Sequence, residues 1–163
     1  MSENQAIEEF YVENRTFPPS ETFTSKALLT DAQIYNEASE DYVSFWARQA
    51  RELLTWDKDF TNTLEWNLPY AKWFSDGELN ISYNCLDRHI ENGKGDKVAY
   101  HWEGEPGDTQ TITYQELLDE VSKFANVLKQ YGHKKNYTLA IYIPMNFELP
   151  IAMLACPRNG FAH

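Results

Sequence analysis

The sequence predicts an α/β fold in which an aromatic-rich helical extension precedes the incomplete start of a parallel, doubly wound sheet. Two observations support this class. Residues 98–143 show the patterns of strand, strand, helix and strand in that order, and another helical pattern follows. The run TLAIYI at 138–143 is almost continuously apolar, which is typical of a parallel strand covered on both faces. Strands that alternate with helices in this way build parallel crossovers.

Composition supports a folded acidic protein and argues against two classes of partner. The 163 residues carry a formal net charge of −11, and 42% of them are hydrophobic. That hydrophobic content is too high for a disordered acidic chain. The negative charge repels nucleic acid and anionic membrane surfaces, so neither is an expected partner. Aromatic residues make up 15% of the chain, and some of them are expected at the surface, where they await a partner.

Targeting signals and cysteine content favour a cytoplasmic protein. The N-terminal decapeptide MSENQAIEEF is acidic and polar, unlike a signal peptide. No run of about 18 apolar residues is present, so no membrane span is expected. Cys85 and Cys156 are too few for a disulfide framework and are expected to be reduced thiols.

The first half of the chain divides into four predicted segments. Residues 1–34 are acidic and irregular and are expected to form an extended arm. Residues 40–54 follow helical steps, with Ser39 as the expected N-cap. Residues 56–74 are aromatic-rich and are expected to be irregular, and a turn is predicted at Asp76-Gly77. Residues 80–90 suggest a short extended piece that runs into one helix, which Gly93 and Gly95 end.

The second half is predicted to contain the sheet. Residues 98–102 and 110–113 have the pattern of strands. Thr113 and Glu116 form a capping-box pattern at the start of the next helix, which Gly132 ends. One face of that helix carries an apolar stripe that consists of Leu117, Val121, Phe124, Ala125 and Leu128.

The last predicted elements are the buried strand at 138–143 and a helix at 147–156, with Asn146 as its N-cap. We expect no strand after this helix to cover it. A sheet with one crossover is unfinished, so the residues themselves suggest a piece of a longer protein. The strand lacks a neighbour on at least one edge, so the isolated chain is expected to fold poorly and to aggregate.

Two groups of residues resemble binding sites weakly. Gly93-Lys94-Gly95 is a short glycine pattern without the rest of a phosphate-binding loop, and we interpret it as a helix cap and turn. Cys85 and His89 stand at i and i+4 on the predicted helix, which would place them on one face. Because the sequence has no second ligand pair, a partly buried helix pair is the better interpretation than a metal site.

Candidates for acid–base or nucleophilic chemistry are equally weak. The acidic candidates are Glu116, Asp119 and Glu120 on the capped helix, and Asp57 and Asp59 beside aromatic residues. We interpret these carboxylates as solvated, because nothing predicts an environment that would separate their pKa values. Cys156 lies in an apolar run and is expected in the core. The aromatic residues between Trp46 and Phe74 could stack on bases, but packing is favoured because the surrounding charge is negative. The sequence therefore predicts no catalytic, cofactor-binding or metal-binding residue.

Seven blocks of sequence, in order, carry a family resemblance. They are FW at 45–46, WFSDGELN at 73–80, NCLDRH at 84–89, AYHWEG at 99–104, TYQEL at 113–117, AIYIPM at 140–145 and AMLAC at 152–156. The sequence closely resembles the AMP-forming acetyl-CoA synthetases, from about residue 35 to 163. The resemblance implies that residues 35–92 form the N-terminal domain of this family. Residues 93–163 would begin its adenylate-forming, AMP-binding domain.

The resemblance also implies a function. This family makes acetyl-CoA from acetate, ATP and CoA through acetyl-adenylate, with Mg²⁺. Its phosphate loop, acetate pocket, CoA contacts and catalytic lysine lie downstream of these residues. The fragment alone is therefore expected to be inactive and to bind no cofactor, and its expected partner is the remainder of its own enzyme chain. The alternatives are a propionyl- or other short-chain acyl-CoA synthetase and a stand-alone, non-catalytic interaction module.

The chain departs from the family pattern at several positions. Lys134-Lys135-Asn136-Tyr137 replaces Lys-Lys-Gly-Asp, and Asn136 is expected to occupy the left-handed turn position. Pro150 is placed near the fourth helical position, where its missing amide begins to cost a bond. Pro157 and Asn159 replace alanine and isoleucine, so we expect the last helix to break about one turn early.

Overall fold

A computed structural model describes residues 16–132 and 134–163, which divide between two units that meet at Asp41 and Tyr42. Most of the first half of the predicted acidic arm therefore lies outside the described residues. The helices are α1 Glu21–Thr24, α2 Gln33–Glu40, α3 Tyr42–Leu53, α4 Ile81–Cys85, α5 Asp87–Glu91, α6 Tyr114–Gln130 and α7 Glu148–Arg158. The strands are β1 Leu64–Asn67, β2 Tyr70–Trp73, β3 Val98–Glu103 and β4 Thr109–Thr113.

The described part of the first unit holds two short helices. In α1 the Ser20 hydroxyl caps the helix by accepting from the Phe23 amide at 3.3 Å. The Ser39 cap predicted for the next helix is wrong. Ser39 lies inside α2, where its hydroxyl donates to the Tyr35 carbonyl oxygen at 2.8 Å. The backbone leaves the helical conformation two residues later, at Asp41 (φ −147°, ψ 83°).

The helix predicted at 40–54 is confirmed as α3, but the irregular segment predicted after it is wrong. Strands β1 and β2 pair there as an antiparallel hairpin, with Leu64 opposite Trp73 and Asn67 opposite Tyr70. The connection is Leu68-Pro69, joined by a cis peptide bond. This dipeptide lacks the glycine or asparagine that signals a two-residue hairpin turn, so the pattern was missed.

The aromatic segment has a small core of its own around Phe60, which is 1% exposed. The Phe60 ring lies 4.5 Å from that of Phe74 and 5.0 Å from that of Trp56. The Arg51 guanidinium carbon lies 4.1 Å from the centre of the Phe60 ring. A Cβ at Gly77 would approach the Trp56 ring to 2.6 Å, so the predicted turn there needs glycine for space. The packing interpretation of these aromatic residues is confirmed for this group.

Residues 80–92 form two short helices rather than the one that was predicted. Asn80 caps α4 by accepting from the amides of Ser82 and Tyr83 at 2.9 and 3.2 Å. The backbone breaks at Leu86 (φ −123°, ψ −72°), and α5 follows. The break turns the Leu86 side chain into the main core, where it is 1% exposed. The free energy gained by burying this leucine offsets the cost of interrupting the helix.

Strands β3 and β4 form the predicted hairpin, and α6 follows with its predicted capping box. The Thr113 hydroxyl accepts from the Glu116 amide, and the Glu116 carboxylate accepts from the Thr113 amide at 2.8 Å. The apolar stripe of α6 faces the core: Leu117, Val121, Ala125 and Leu128 are buried, and Phe124 packs against them. The core is completed by Leu86, Ile112, Ala155, Cys156 and Phe161.

The buried strand predicted at 138–143 is wrong for this structure. Among the described residues it makes one parallel bridge, Thr138 with Ala162, and Tyr142 and Ile143 are exposed. No strand follows the last helix among the described residues, although Ala162 returns beside Thr138 after α7 and forms this isolated bridge. The Leu139 amide donates to the Ala162 carbonyl oxygen at 3.0 Å, and the Ala162 amide donates to Tyr137 at 2.9 Å. Among the described residues, the parallel pairing that follows α7 therefore consists of this one bridge.

Helix α7 differs from its prediction at both ends. Phe147 occupies the N-cap position without a side-chain bond, and the side-chain Oδ1 of the expected cap, Asn146, is buried without a partner. Pro150 is the third helical residue, where an amide has no partner within the helix, so it costs no bond. The helix includes Pro157 and ends at Arg158, with Asn159 as its C-cap. Gly160 ends it in the left-handed conformation, with its amide donating to the Pro157 carbonyl oxygen at 3.0 Å.

Two smaller expectations are settled by the backbone. Asn136 has φ 71°, which confirms its left-handed position. Within residues 16–132 and 134–163, no helix is long and apolar enough to cross a membrane.

Candidate functional site

The glycine pattern at 93–95 is a helix cap, as interpreted from the sequence. Gly93 has φ 74°, and its amide donates to the Ile90 carbonyl oxygen at 2.9 Å. The Lys94 amide donates to the His89 carbonyl oxygen at 3.0 Å. These two bonds are those of a Schellman motif at the end of α5. The amides of Gly93 and Lys94 are thus committed to the helix end and are not available to a phosphate.

Cys85 and His89 do not share one helical face, because the helix breaks between them at Leu86. The His89 ring instead lies 5.5 Å from the ring of Tyr114. Burial raises the pKa of the Cys85 thiol, which opposes the thiolate form that binds metals. Burial and the nearby Arg88 lower the pKa of His89. Within the described ranges, no group of three or more His, Cys, Asp or Glu side chains could hold a metal ion.

The candidate carboxylates are engaged in local structure. Glu116 belongs to the capping box, and its bonds to Thr113 hold its pKa below the usual range. Asp119 accepts from the Gln115 amide group at 3.0 Å, and Glu120 pairs with Lys123 at 2.6 Å. Asp59 pairs with Arg51 at 2.9 Å. The structure does not bring these acids into one cleft, and it does not bring Asp57 to any of them by a bond.

Cys156 is fully buried in the main core, as predicted, and burial raises the pKa of its thiol. A raised pKa disfavours the thiolate, so this cysteine is a packing residue and not a nucleophile.

Sequence reasoning missed a network of polar side chains that joins α4 and α5 to their neighbours. The buried Asn84 makes two bonds to the backbone of Thr55, accepting from its amide at 2.8 Å and donating to its carbonyl oxygen at 2.9 Å. Arg88 donates to the Asn84 side-chain oxygen at 2.9 Å and to the Leu53 carbonyl oxygen at 2.7 Å. The end of α3 is thereby attached to α4 and α5.

The second part of this network attaches α4 and α5 to the end of α7. Arg158 binds Asp87 through two parallel bonds of 2.7 and 2.8 Å, and both side chains are partly buried. The Asn80 amide group donates to the Pro157 carbonyl oxygen at 3.1 Å. Asn159 donates to the Ala125 carbonyl oxygen of α6 at 2.9 Å. We call Asn80, Asp87 and Arg158 the crossover clamp, because they fix the helix end from which the chain returns to the parallel bridge.

No local sequence pattern indicates the ion pair of the clamp, since its partners are 71 positions apart. The cap role of Asn80 was detectable, because asparagine before a helical pattern is a standard start signal.

The second unit also has an open apolar groove with a volume of about 740 Å³. Its walls are the exposed side of α6, the first half of α7 and the segment Leu139–Ile143. Phe124 and Val127 line it from α6, and Ile151 and Ala152 line it from α7. Charged side chains at the groove are Glu120, Lys123 and Glu148. Such a surface suits an apolar polypeptide segment better than a phosphate ligand.

Comparison with known proteins adds family information to this geometry. Residues 32–85 match the family model described as the acetyl-coenzyme A synthetase N-terminus, and residues 86–163 match that of the AMP-binding enzymes. The acetyl-coenzyme A synthetase of Streptomyces avermitilis is 51% identical over 161 residues, which is 98% of this chain and 24% of that protein. The Cupriavidus metallidurans enzyme of the same name is 48% identical over 163 residues, or 97% and 25%.

The chain belongs to the acetyl-coenzyme A synthetase family. It spans about a quarter of the length of the curated relatives that it matches. Among solved structures, the acetoacetyl-CoA synthetase of Streptomyces lividans has a similar fold, with a TM-score of 0.71 and 19% identity. That match covers 82% of this chain and 21% of the other.

The family match gives the missed network a context. The two family models meet between Cys85 and Leu86, where the backbone breaks between α4 and α5. Asn80 of the crossover clamp lies in the first match, and Asp87 and Arg158 lie in the second. The clamp thus links the first matched region to the second.

Proposed function

We propose that this chain is the N-terminal part of an acetate–CoA ligase, in which it provides structural support rather than reacting groups. The observation that carries this proposal is the identity of 51% over 161 residues to an acetyl-coenzyme A synthetase. In the proposed reaction an acetate oxygen attacks the α-phosphorus of ATP and pyrophosphate leaves. The CoA thiol then attacks the acyl carbon and AMP leaves. The names of the relatives favour acetate over longer acids and over a stand-alone interaction module.

The candidate residues described above are engaged in local structure, which supports no role for them in binding the groups that this reaction uses. Mg²⁺ binds through carboxylate and phosphate oxygens, whereas the bonds of Glu116, Glu120 and Asp87 commit them to a cap and to ion pairs. A phosphate needs free amides or cations, and the Gly93 amide closes a helix end. We therefore propose that catalytic, ATP-binding and CoA-binding residues lie in other parts of the enzyme, and that these 163 residues bind none of the substrates.

We also propose the domain division that the sequence suggests: an arm at 1–34, the N-terminal domain at 35–92 and the beginning of the AMP-binding domain at 93–163. The helix end at Gly93 and the start of β3 at Val98 support the second boundary. The proposed partner is the remaining chain of the ligase, and the proposed location is the cytoplasm. The net charge of −11 supports the absence of nucleic-acid and membrane partners from this proposal.

A chimeric enzyme tests the proposed function. Residues 1–163 replace the matching quarter of the Streptomyces avermitilis synthetase, and AMP formation that depends on acetate, ATP and CoA is measured. We expect the chimera to be active and the 163-residue chain to be inactive, with the complete Streptomyces enzyme as the positive control. A folded but inactive chimera would contradict the ligase proposal. Activity of the 163-residue chain would contradict the structural role.

A further inference from the structure

Another cavity of the second unit, with a volume of about 340 Å³, is lined by aromatic rings. The lining side chains that the structure describes are Trp46 of α3, Trp73 at the end of β2 and Phe74 directly after it. The Tyr42 ring stands against Trp73, with the two ring centres 6.2 Å apart. Trp46 is 50% exposed and Trp73 is 39% exposed, so a ligand can reach these rings from solvent. We call Tyr42, Trp46, Trp73 and Phe74 the aromatic cage.

The rings of the aromatic cage are inclined to one another rather than stacked. The plane of the Trp73 ring makes an angle of 67° with that of Tyr42 and 52° with that of Phe74. Stacked rings cover each other's faces, whereas inclined rings can present more than one face to a ligand that enters between them. The face of an aromatic ring carries the negative part of its quadrupole and therefore attracts positive charge.

Phe74 joins the aromatic cage through an unusual backbone conformation. Its φ is 53°, in the left-handed region that costs a residue other than glycine about 1–2 kcal/mol. Consecutive side chains of a regular strand point to opposite faces, yet the rings of Trp73 and Phe74 lie 5.8 Å apart and line one cavity. Packing of Phe74 against Phe60 offsets part of the backbone cost. The left-handed residue thus adds a ring to the cavity that a regular strand would turn away from it.

The charge of the chain favours a cation as the ligand of this cavity. The formal net charge of −11 attracts cations and repels nucleotides, which could otherwise stack on the rings. Cations already lie over rings in the same part of the chain. The guanidinium carbon of Arg51 is 4.1 Å from the centre of the Phe60 ring, and that of Arg48 is 5.6 Å from the centre of the Phe45 ring.

The lining side chains also favour one kind of cation. The rings of Trp46, Trp73 and Phe74 carry no oxygen that could accept a hydrogen bond. A primary ammonium or a guanidinium group would lose bonds to water among these rings without replacing them, which costs free energy. A quaternary ammonium group has no N–H to satisfy and presents only alkyl groups to the rings. Cages of aromatic rings are suited to such cations.

We propose that the aromatic cage binds a small quaternary ammonium compound, whose charged nitrogen is held between the rings of Trp46 and Trp73. The inference goes beyond the proposed function and does not depend on it, because the aromatic cage uses none of the groups of the ligase reaction. The site belongs to the segment from α3 to the end of the β1–β2 hairpin, within the region that matches the N-terminal family model.

Titration of the 163-residue chain with choline chloride tests the proposal. The matched neutral ligand is the alcohol in which a tert-butyl group replaces the trimethylammonium group of choline, so that shape is kept and charge is lost. Choline should shift the indole NMR signals of Trp46 and Trp73 saturably, and sodium chloride of equal ionic strength should not. We expect the alcohol to bind at least about threefold more weakly, because it lacks the attraction between charge and ring. Equal affinities, or the absence of saturable shifts, would overturn the proposal.

Three leucine variants locate the site. Trp46→Leu and Trp73→Leu each remove a ring of the aromatic cage but keep an apolar side chain. Trp66→Leu is the matched control, because Trp66 lies on the same hairpin, is 62% exposed and does not line the cavity. We expect each cage variant to weaken choline binding at least about threefold, and the control to change it by less than about twofold. Melting temperatures identify any variant that fails to fold, and Trp73→Leu alone is sufficient for the test.

Two outcomes of the variant series would overturn the proposal. Equal losses of choline affinity in the cage variants and in Trp66→Leu would mean that choline does not recognise this cavity. Shifts of the Trp46 and Trp73 signals that grow with protein concentration in the absence of choline would mean that a second copy of the chain covers the rings.

Discussion

Helix α6 and the segment Thr138–Ile143 are close neighbours in the sequence, yet their surroundings differ sharply. The helix contains many charged residues, and nevertheless its apolar stripe is buried, with Val121 fully inaccessible. The segment is more apolar, and nevertheless Tyr142 is fully exposed. A helix satisfies its own backbone within one stretch of chain, whereas a parallel strand needs partners that are distant in the sequence. The apolar side chains of a segment are therefore buried only when its backbone amides and carbonyl groups also have hydrogen-bond partners.

The largest expected difference in stability is between two truncations of a large side chain, one in α6 and one in the segment Thr138–Ile143. Leu117→Ala in α6 deletes part of a side chain that is 1% exposed in the main core. We expect the free energy of unfolding to fall by about 2–5 kcal/mol, because transfer and cavity costs add. Urea denaturation at low protein concentration, followed by circular dichroism, measures this loss.

Tyr142→Ala is the matched variant in the segment and should change the free energy of unfolding by less than about 0.5 kcal/mol. A loss of similar size for both variants would mean that the segment is buried in solution. The comparison between helix and strand would then fail.

The next effect is a break in the crossover clamp. Asp87→Asn removes the charge that pairs with Arg158, and that charge raises the pKa of the arginine. Leaving a partly buried guanidinium without its carboxylate should cost about 1–2 kcal/mol, because solvent screens part of its charge. A double-mutant cycle with Arg158→Met isolates the pair energy, because the double variant leaves no unpaired charge.

The exposed pair of Glu120 and Lys123 is the control for the clamp. Glu120→Gln should cost no more than about 0.5 kcal/mol, since solvent screens this pair. Exchange of the amides of Leu139 and Ala162 should accelerate in Asp87→Asn and stay unchanged in Glu120→Gln. If amide exchange accelerates in neither variant, the crossover clamp does not stabilise the bridge between Thr138 and Ala162.

A smaller effect is expected at the start of α6. Thr113→Ala removes the hydroxyl of the capping box and should cost about 1 kcal/mol, which urea denaturation at pH 7 detects. The loss should depend on pH, because the amide and the hydroxyl of Thr113 both donate to Glu116 and lower its pKa, and the variant removes the hydroxyl bond. A depressed carboxylate pKa stabilises the fold above the unfolded-state value of about 4.3, and this contribution disappears as the pH falls through the lower folded value. The difference between wild type and variant should narrow below about pH 4 and stay constant between pH 6 and 8.

Features specified within a few residues were predictable from the sequence. The capping box, the stripe of α6, the Schellman end at Gly93 and the left-handed Asn136 follow from local chemistry. Features that depend on distant partners were not. The Leu86 break serves a core built from later residues, and the clamp pairs Asp87 with a residue 71 positions away. The end of α7 also depends on a distant residue, since Asn80 donates to its Pro157 carbonyl oxygen.

The smallest expected effect lies at the turn that leads from α6 to the open segment. Asn136 has φ 71°, and its amide donates to the Gly160 carbonyl oxygen at 2.8 Å. Asn136→Gly relieves the steric cost of the left-handed conformation but gives the unfolded chain more freedom, so stability should change by less than about 0.5 kcal/mol. Asn136→Val adds a branched Cβ to the same conformation and should be clearly less stable than the glycine variant, since left-handed backbone costs such residues about 1–2 kcal/mol. Thermal unfolding of the two variants side by side measures the difference. Equal stabilities would mean that this turn relaxes freely, and that the crossover clamp alone sets the register at Thr138.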